Sequence, residues 1–243
     1  MLVQNRHSES VERGDCMMKN KKNKIYWLCG IIGAICFGIG DWLLGYVDPT
    51  VVNASFSVIK AGHGAGYDLS KITVTLLLGA VGVPFLMLGC VKMAEFVKED
   101  RKRRLFRFWM ALLPVGWLMI HFTVSVSICV YSWGMQTLTG NMAEKLASDL
   151  LQRMQPAQIV SYLFAGIPLV LLPVYVLGGK TFLKKQSQAF TPALWMLLFS
   201  VLKFVLPPSP FSNGMDTFCM NAGMIIWFAY LMMAKDGKKQ AEQ

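Results

Sequence analysis

Four polar residues stand where apolar ones are expected. Asp41, His121 and Lys203 are ionisable groups inside long apolar runs, and Asn221 is an amide inside another. An aspartate and a histidine together can hold and pass a proton, the basis of general acid–base work. An aspartate and a lysine can form an ion pair. Intramembrane ionisable groups usually turn toward the protein interior and pair, because an unpaired charge there costs at least about 2.5–3.5 kcal/mol. Ser125 lies one turn beyond His121 and Thr217 one turn before Asn221, so each shares a helical face with its neighbour.

Depth brings these residues together. At about 1.5 Å per residue, Asp41 lies roughly 24 Å from the inner end of its apolar run, and His121 and Lys203 roughly 20 Å from theirs. Asn221 is roughly 9 Å from the outer end of its run. In a hydrocarbon core about 30 Å thick, all four fall in the outer third. Gly30, Ala34 and Gly38 form a small-residue stripe, spaced four apart, that continues to Asp41 and Gly45. Such a stripe admits a second helix closely, so Asp41 is predicted to face protein and not lipid.

Three arrangements fit these residues. In the first, Asp41 and Lys203 form the charge pair of a polar cavity open to the outside, with His121 as proton carrier or ligand. In the second, the pair is buried and fixes helix register, with His121 satisfied by Ser125 or a carbonyl. In the third, Lys203 snorkels to the outer headgroups and Asp41 has another partner, His121 being the next to consider.

The elements that must position them follow from composition. The chain has 243 residues, 54% hydrophobic and 16% charged, with mean hydropathy +0.45. A soluble chain carries about 25% charged residues, so the deficit marks a membrane protein. The net charge of +10 does not point to nucleic acid, because the basic residues form short clusters between apolar runs. Six runs are predicted to span as an all-α polytopic bundle: Ile25–Val47, Ile72–Val97, Phe108–Trp133, Ile159–Gly178, Phe190–Leu206 and Met215–Ala234. Pro84, Pro114, Pro168 and Pro173 read as kinks within them. Residues 25–234 form one domain, between a 1–24 amino-terminal tail and a 235–243 carboxy-terminal tail. Residues 1–16 are predicted to be disordered, and Met17 is an alternative start.

The clusters Lys19–Lys24, Lys98–Arg107, Lys180–Lys185 and Lys235–Lys239 all fall on one side of this arrangement. By the positive-inside rule both termini are cytoplasmic. Lys98, Arg101, Lys102, Arg103, Arg104 and Arg107 would set topology and attract anionic lipid. Lys92, near the inner end of the second span, should snorkel. Aromatic residues gather toward both ends of the spans, Tyr26, Trp27, Trp109, Trp195, Trp227 and Tyr230 toward the inner and Trp42, Tyr46, Tyr131, Trp133 and Tyr162 toward the outer, as membrane belts do. In residues 141–155, Met142, Leu146, Leu150 and Met154 define an apolar face, predicting a short helix on the outer surface. His63 lies in the glycine-rich outer loop "AGHGAGYD" and reads as solvated.

Several chemistries are set aside. There is no HExxH, no glycine-rich phosphate loop and no GxSxG. Three histidines, His7, His63 and His121, are too few for a multi-histidine metal or haem site, and the six cysteines lack CxxC spacing. No cofactor or metal is expected.

The run "FGIGDWLLGYVDP", with six spans and basic inner loops, resembles a group of uncharacterised bacterial multi-pass membrane proteins. The resemblance implies a bacterial plasma membrane and no particular activity. Three function classes stay open: a small-solute or proton-coupled carrier, for which a homodimer is expected; a membrane-embedded enzyme on a lipid or isoprenoid; and a non-catalytic subunit or sensor. A water-filled cavity around Asp41 favours the first, a lipid-facing cleft the second and a sealed core the third.

Overall fold

The computed structural model describes residues 2–46, 69–138 and 142–234, with side chains from residue 23 onward except Met135 and Glu144. The expectations for His63 and its loop and for the 235–243 tail rest on positions outside the described residues, whereas residues 2–16, expected to be disordered, are the first turns of α1. Six α-helices follow one another: α1 Leu2–Gly45, α2 Leu69–Met93, α3 Asp100–Thr137, α4 Met142–Leu177, α5 Pro192–Val205 and α6 Pro210–Met233. Five are long and apolar enough to cross a membrane, counting Asn23–Gly45 of α1, and mark a membrane-embedded helical protein. The fifth expected span, Phe190–Leu206, is shorter as a helix than as an apolar run. Phe190 ends a 3-10 turn, Lys185–Phe190, and α5 has 14 residues, about 21 Å.

Local sequence explains the boundaries. Pro192 and Pro210 open α5 and α6 at the first turn, where a missing N–H costs nothing. Ser209 caps α6: its hydroxyl accepts from the Ser212 N–H at 3.1 Å, and the Ser209 N–H donates to the Ser212 hydroxyl at 3.0 Å. At the end of α4, Gly179 takes φ +65° and the Lys180 N–H reaches back to the Tyr175 carbonyl at 2.9 Å. That left-handed turn is cheap only for glycine. Pro84, Pro114, Pro156, Pro168 and Pro173 lie inside continuous helices.

α1 is the hub, packed on α2 and on α6. From there the order runs outward through α3 to α4 on one side and to α5 on the other. The small-residue stripe of α1 does what its spacing predicts. A Cβ on Gly30 would meet Phe228 of α6 at 2.7 Å, and one on Gly38 would meet Phe218 and Asn221. A Cβ on Gly33 would lie 2.4 Å from the Leu86 backbone nitrogen, so α1 and α2 touch backbone to backbone.

The main core occupies the half nearer the basic loop. Trp27 stacks on Phe96 and Phe228, Phe106 stacks on Tyr175, and the Trp227 indole N–H meets the Met93 sulfur at 2.7 Å. This corrects the belt reading for Trp27, Trp227 and Tyr131, which are buried; Tyr26, Tyr46, Trp133 and Tyr162 remain exposed.

A second correction concerns the expected surface helix at 141–155: from Met142 onward these residues are the first turns of α4 and not a separate helix. α3 and α4 contain 38 and 36 residues, more than 50 Å each by about 1.5 Å per residue. They therefore project past a bilayer core at the end away from the basic loop. There Ala143, Ala147 and Leu151 pack with Tyr131, while Met142 and Leu146 are exposed. The small alanines win the contact because they let the helices approach. A Cβ on Gly134 would be 2.9 Å from that of Ala143.

At the opposite end, two loops are tied. Val97 and Thr181 form an isolated antiparallel bridge. The Lys98 N–H donates to the Lys180 carbonyl at 3.0 Å and the Phe182 N–H to the Phe96 carbonyl at 2.9 Å. The Lys98 ammonium adds a bond to the Gly179 carbonyl.

Candidate functional site

Four helices meet at Asp41. Its Oδ1 lies 2.8 Å from His121 Nδ1 on α3, and its Oδ2 accepts from the Asn221 amide on α6 at 2.6 Å. His121 Nε2 lies 3.1 Å from the Thr75 carbonyl on α2. The Thr217 hydroxyl donates toward the Asp41 carbonyl at 2.9 Å, and the Asn213 amide donates to the Gly45 carbonyl at 2.9 Å. The Thr75 hydroxyl donates to the Gly40 carbonyl at 3.2 Å. α1 is thus fastened to both neighbours and to α3 at one level.

Glycines make the room. A Cβ on Gly40 would lie 3.0 Å from His121 Cε1 and Nε2, and one on Gly79 would lie 3.2 Å from its Cδ2. Phe37 presents an edge-on ring contact at 5.7 Å. The node is enclosed. His121 is 2% exposed, Asn221 is fully buried and Asp41 is 9% exposed. Toward the end of α1, Trp42 packs on Tyr46, Phe211 and Phe218 and covers that side with aromatic rings.

The protons can be counted. The Thr75 carbonyl only accepts, so Nε2 carries one proton. A second proton must lie between Nδ1 and Oδ1, since otherwise a lone pair would face a carboxylate at 2.8 Å. With that shared proton the Asp41–His121 pair is neutral overall. Without it, the node holds one uncompensated negative charge in low dielectric, a costly state.

The expected residues divide. Asp41, His121, Thr217 and Asn221 come together. Ser125 does not join the ring; its hydroxyl is buried and has no partner among the described residues, as is also true of Asn221 Oδ1. His121 is satisfied by Asp41 and a carbonyl, so Ser125, His121 and Asp41 are not arranged as nucleophile, base and orienter.

Lys203 is the clear correction. It pairs with Asp216 of α6 at 2.5 Å and not with Asp41. Depth alone could not reveal this, because α5 packs on the outer side of α6 and away from α1. Asp216 was missed although it stands across the α5–α6 turn from Lys203. Thr75 was missed because the group that meets His121 is its carbonyl, and a threonine hydroxyl in an apolar run is a weak signal.

The basic loop also divides. Lys102 pairs with Glu99. Arg103 binds Asp100 and the Val97 and Lys98 carbonyls. Lys98 holds Gly179. Arg101, Arg104 and Arg107 are exposed, with no partner among the described residues. Lys92 does not stretch to the headgroups alone; it pairs with Glu95 at 2.6 Å. Among the described residues no cluster of three or more His, Cys, Asp or Glu side chains could hold a metal.

Fold and site together define an α-helical membrane protein with a buried acid–histidine–amide node. Residues 18–236 match a family of unknown function, DUF6796, and the chain belongs to that family. No curated protein and no solved structure matches it.

Proposed function

We propose that the chain is a proton-responsive membrane protein, a sensor or regulatory subunit, in which Asp41, His121 and Asn221 form the proton-binding joint. The observation that carries this reading is the 2.8 Å contact between Asp41 Oδ1 and His121 Nδ1 in an enclosed four-helix node, a contact that calls for one shared proton. Losing that proton sets a lone pair against the carboxylate and drives α3 from α1. Regaining it closes the joint. Proton exchange runs through Asp41, whose side chain keeps 12% exposure against 1% for His121. Thr217 supports the joint by holding the Asp41 backbone.

In this reading the protein crosses a bacterial plasma membrane six times with both termini cytoplasmic. The restriction of the basic clusters to one end supports that orientation, with α5 and its 3-10 turn together making the fifth crossing.

A second reading, a proton-coupled carrier of a small solute acting as a homodimer, is favoured by the residual opening at Asp41 and by the partly exposed Lys203–Asp216 pair. Lipid acid–base chemistry is disfavoured because both ring nitrogens of His121 are engaged.

The test is a distance measurement. Spin labels at Trp133 and Phe211 in reconstituted protein should change separation between about pH 5 and about pH 8, the range in which histidines commonly titrate. The change should vanish in His121→Gln. An unchanged distance in the wild type would end the proposal. Proton-coupled uptake into vesicles would move the reading to the carrier.

A further inference from the structure

Away from the node, a groove of about 600 Å³ opens beside the inner end of α2. Its apolar lining comes from Pro84, Met87, Leu88 and Val91, and its polar end from Tyr26, Lys92, Glu95 and Arg107. From Pro84 to Glu95 it follows the chain for roughly 16 Å, at about 1.5 Å per residue. One end is therefore greasy and the other charged, in the same sense as a phospholipid of the leaflet nearer the basic loop.

The charges at the mouth decide what fits. Lys92 is committed to Glu95 at 2.6 Å, with its ammonium 4.9 Å from the Tyr26 ring centroid. Those two charges cancel. Arg107 is exposed and has no partner among the described residues. The rim thus carries one uncompensated positive charge, on the side chain whose planar fork matches a phosphate. Leu88 is 47% exposed, so the apolar floor is open to an acyl chain.

We propose that this groove is a binding site for one anionic phospholipid. The phosphate sits on Arg107, the glycerol end lies by Tyr26 and Lys92, and one acyl chain runs along Met87, Leu88 and Val91 toward Pro84. The site differs from general attraction of lipid to the basic loop, because three of that loop's cations are already held by protein. It is independent of the proton joint.

The experiment uses the full chain in detergent, delipidated and titrated with dioleoyl phosphatidylglycerol or, separately, dioleoyl phosphatidylcholine, with retained lipid counted by native mass spectrometry. One phosphatidylglycerol should be retained in preference to phosphatidylcholine. Arg107→Gln should weaken that retention roughly tenfold, the usual worth of a charge-assisted bond to phosphate. Arg104→Gln, which lies outside the groove, should not. Equal retention of both lipids, or equal losses in the two arginine variants, would overturn the site and leave only non-specific lipid. Should Arg107→Gln fail to fold, a photocrosslinker at Leu88 in the otherwise native chain gives the answer. A phosphatidylglycerol adduct that phosphatidylcholine does not compete away supports the groove, and its absence refutes it.

Discussion

Two acid–base pairs stand toward the same end of the bundle, yet they are built differently. Asp41–His121 joins α1 to α3, with side chains 12% and 1% exposed, and each partner has a further hydrogen bond. Lys203–Asp216 joins only α5 to α6, with side chains 38% and 31% exposed. The first is an interior fastening whose removal leaves buried groups without partners. The second is a peripheral contact that surroundings can replace. Equal depth in a membrane therefore does not mean equal consequence; the number of helices that converge on a group matters more.

The sharpest way to break the comparison is to remove one member of the inner pair. His121→Ala should cost about 3–5 kcal/mol, the usual penalty for stranding a buried charge, read as unfolding in detergent. Asp41→Asn with His121→Gln should recover part of the loss, because both remain hydrogen-bonding groups. A double-mutant cycle should give strong coupling for Asp41 with His121 and almost none for Asp41 with Lys203.

Next in size is Gly40→Ala. The added methyl meets the imidazole at 3.0 Å, and overpacking of this kind costs about 1–3 kcal/mol. The variant should also alter the pH response of the α3–α6 distance. A stable variant with an unchanged response would mean that the ring has more space than its contacts indicate.

The smallest effect belongs to the outer pair. Lys203→Met should cost about 1 kcal/mol, the upper end for ion pairs that are only partly buried, and clearly less than His121→Ala. A loss as large as that of His121→Ala would abolish the distinction between the pairs.

Much of this arrangement is written in local spacing. Apolar runs of about 20 residues locate the long helices. A fixed rise per residue puts Asp41, His121 and Asn221 at one level. The four-residue stripe on α1 foretells its contact with α6. Partner choice is another matter, since depth along a helix carries no information about which helix stands beside it. Depth therefore leaves Lys203 open between Asp41 and the headgroups, and gives no sign of Asp216, just inside α6. The same limit explains the start of α4. Met142 and Leu146 are the more hydrophobic face, but close packing of backbones favours the alanines behind them. Thr75 meets His121 through its main chain, which periodicity cannot flag.

The tie between Val97 and Thr181 has a consequence for biogenesis. Lys98 and Gly179, which it brings together, are 81 residues apart. The strap cannot close until α3 and α4 have both been synthesised and laid side by side. It joins an early and a late part of the chain. A chain interrupted before Gly179 would carry its helices but leave the loop at Lys98 untied, and a protease acting on that loop would distinguish the unfinished protein from the finished one.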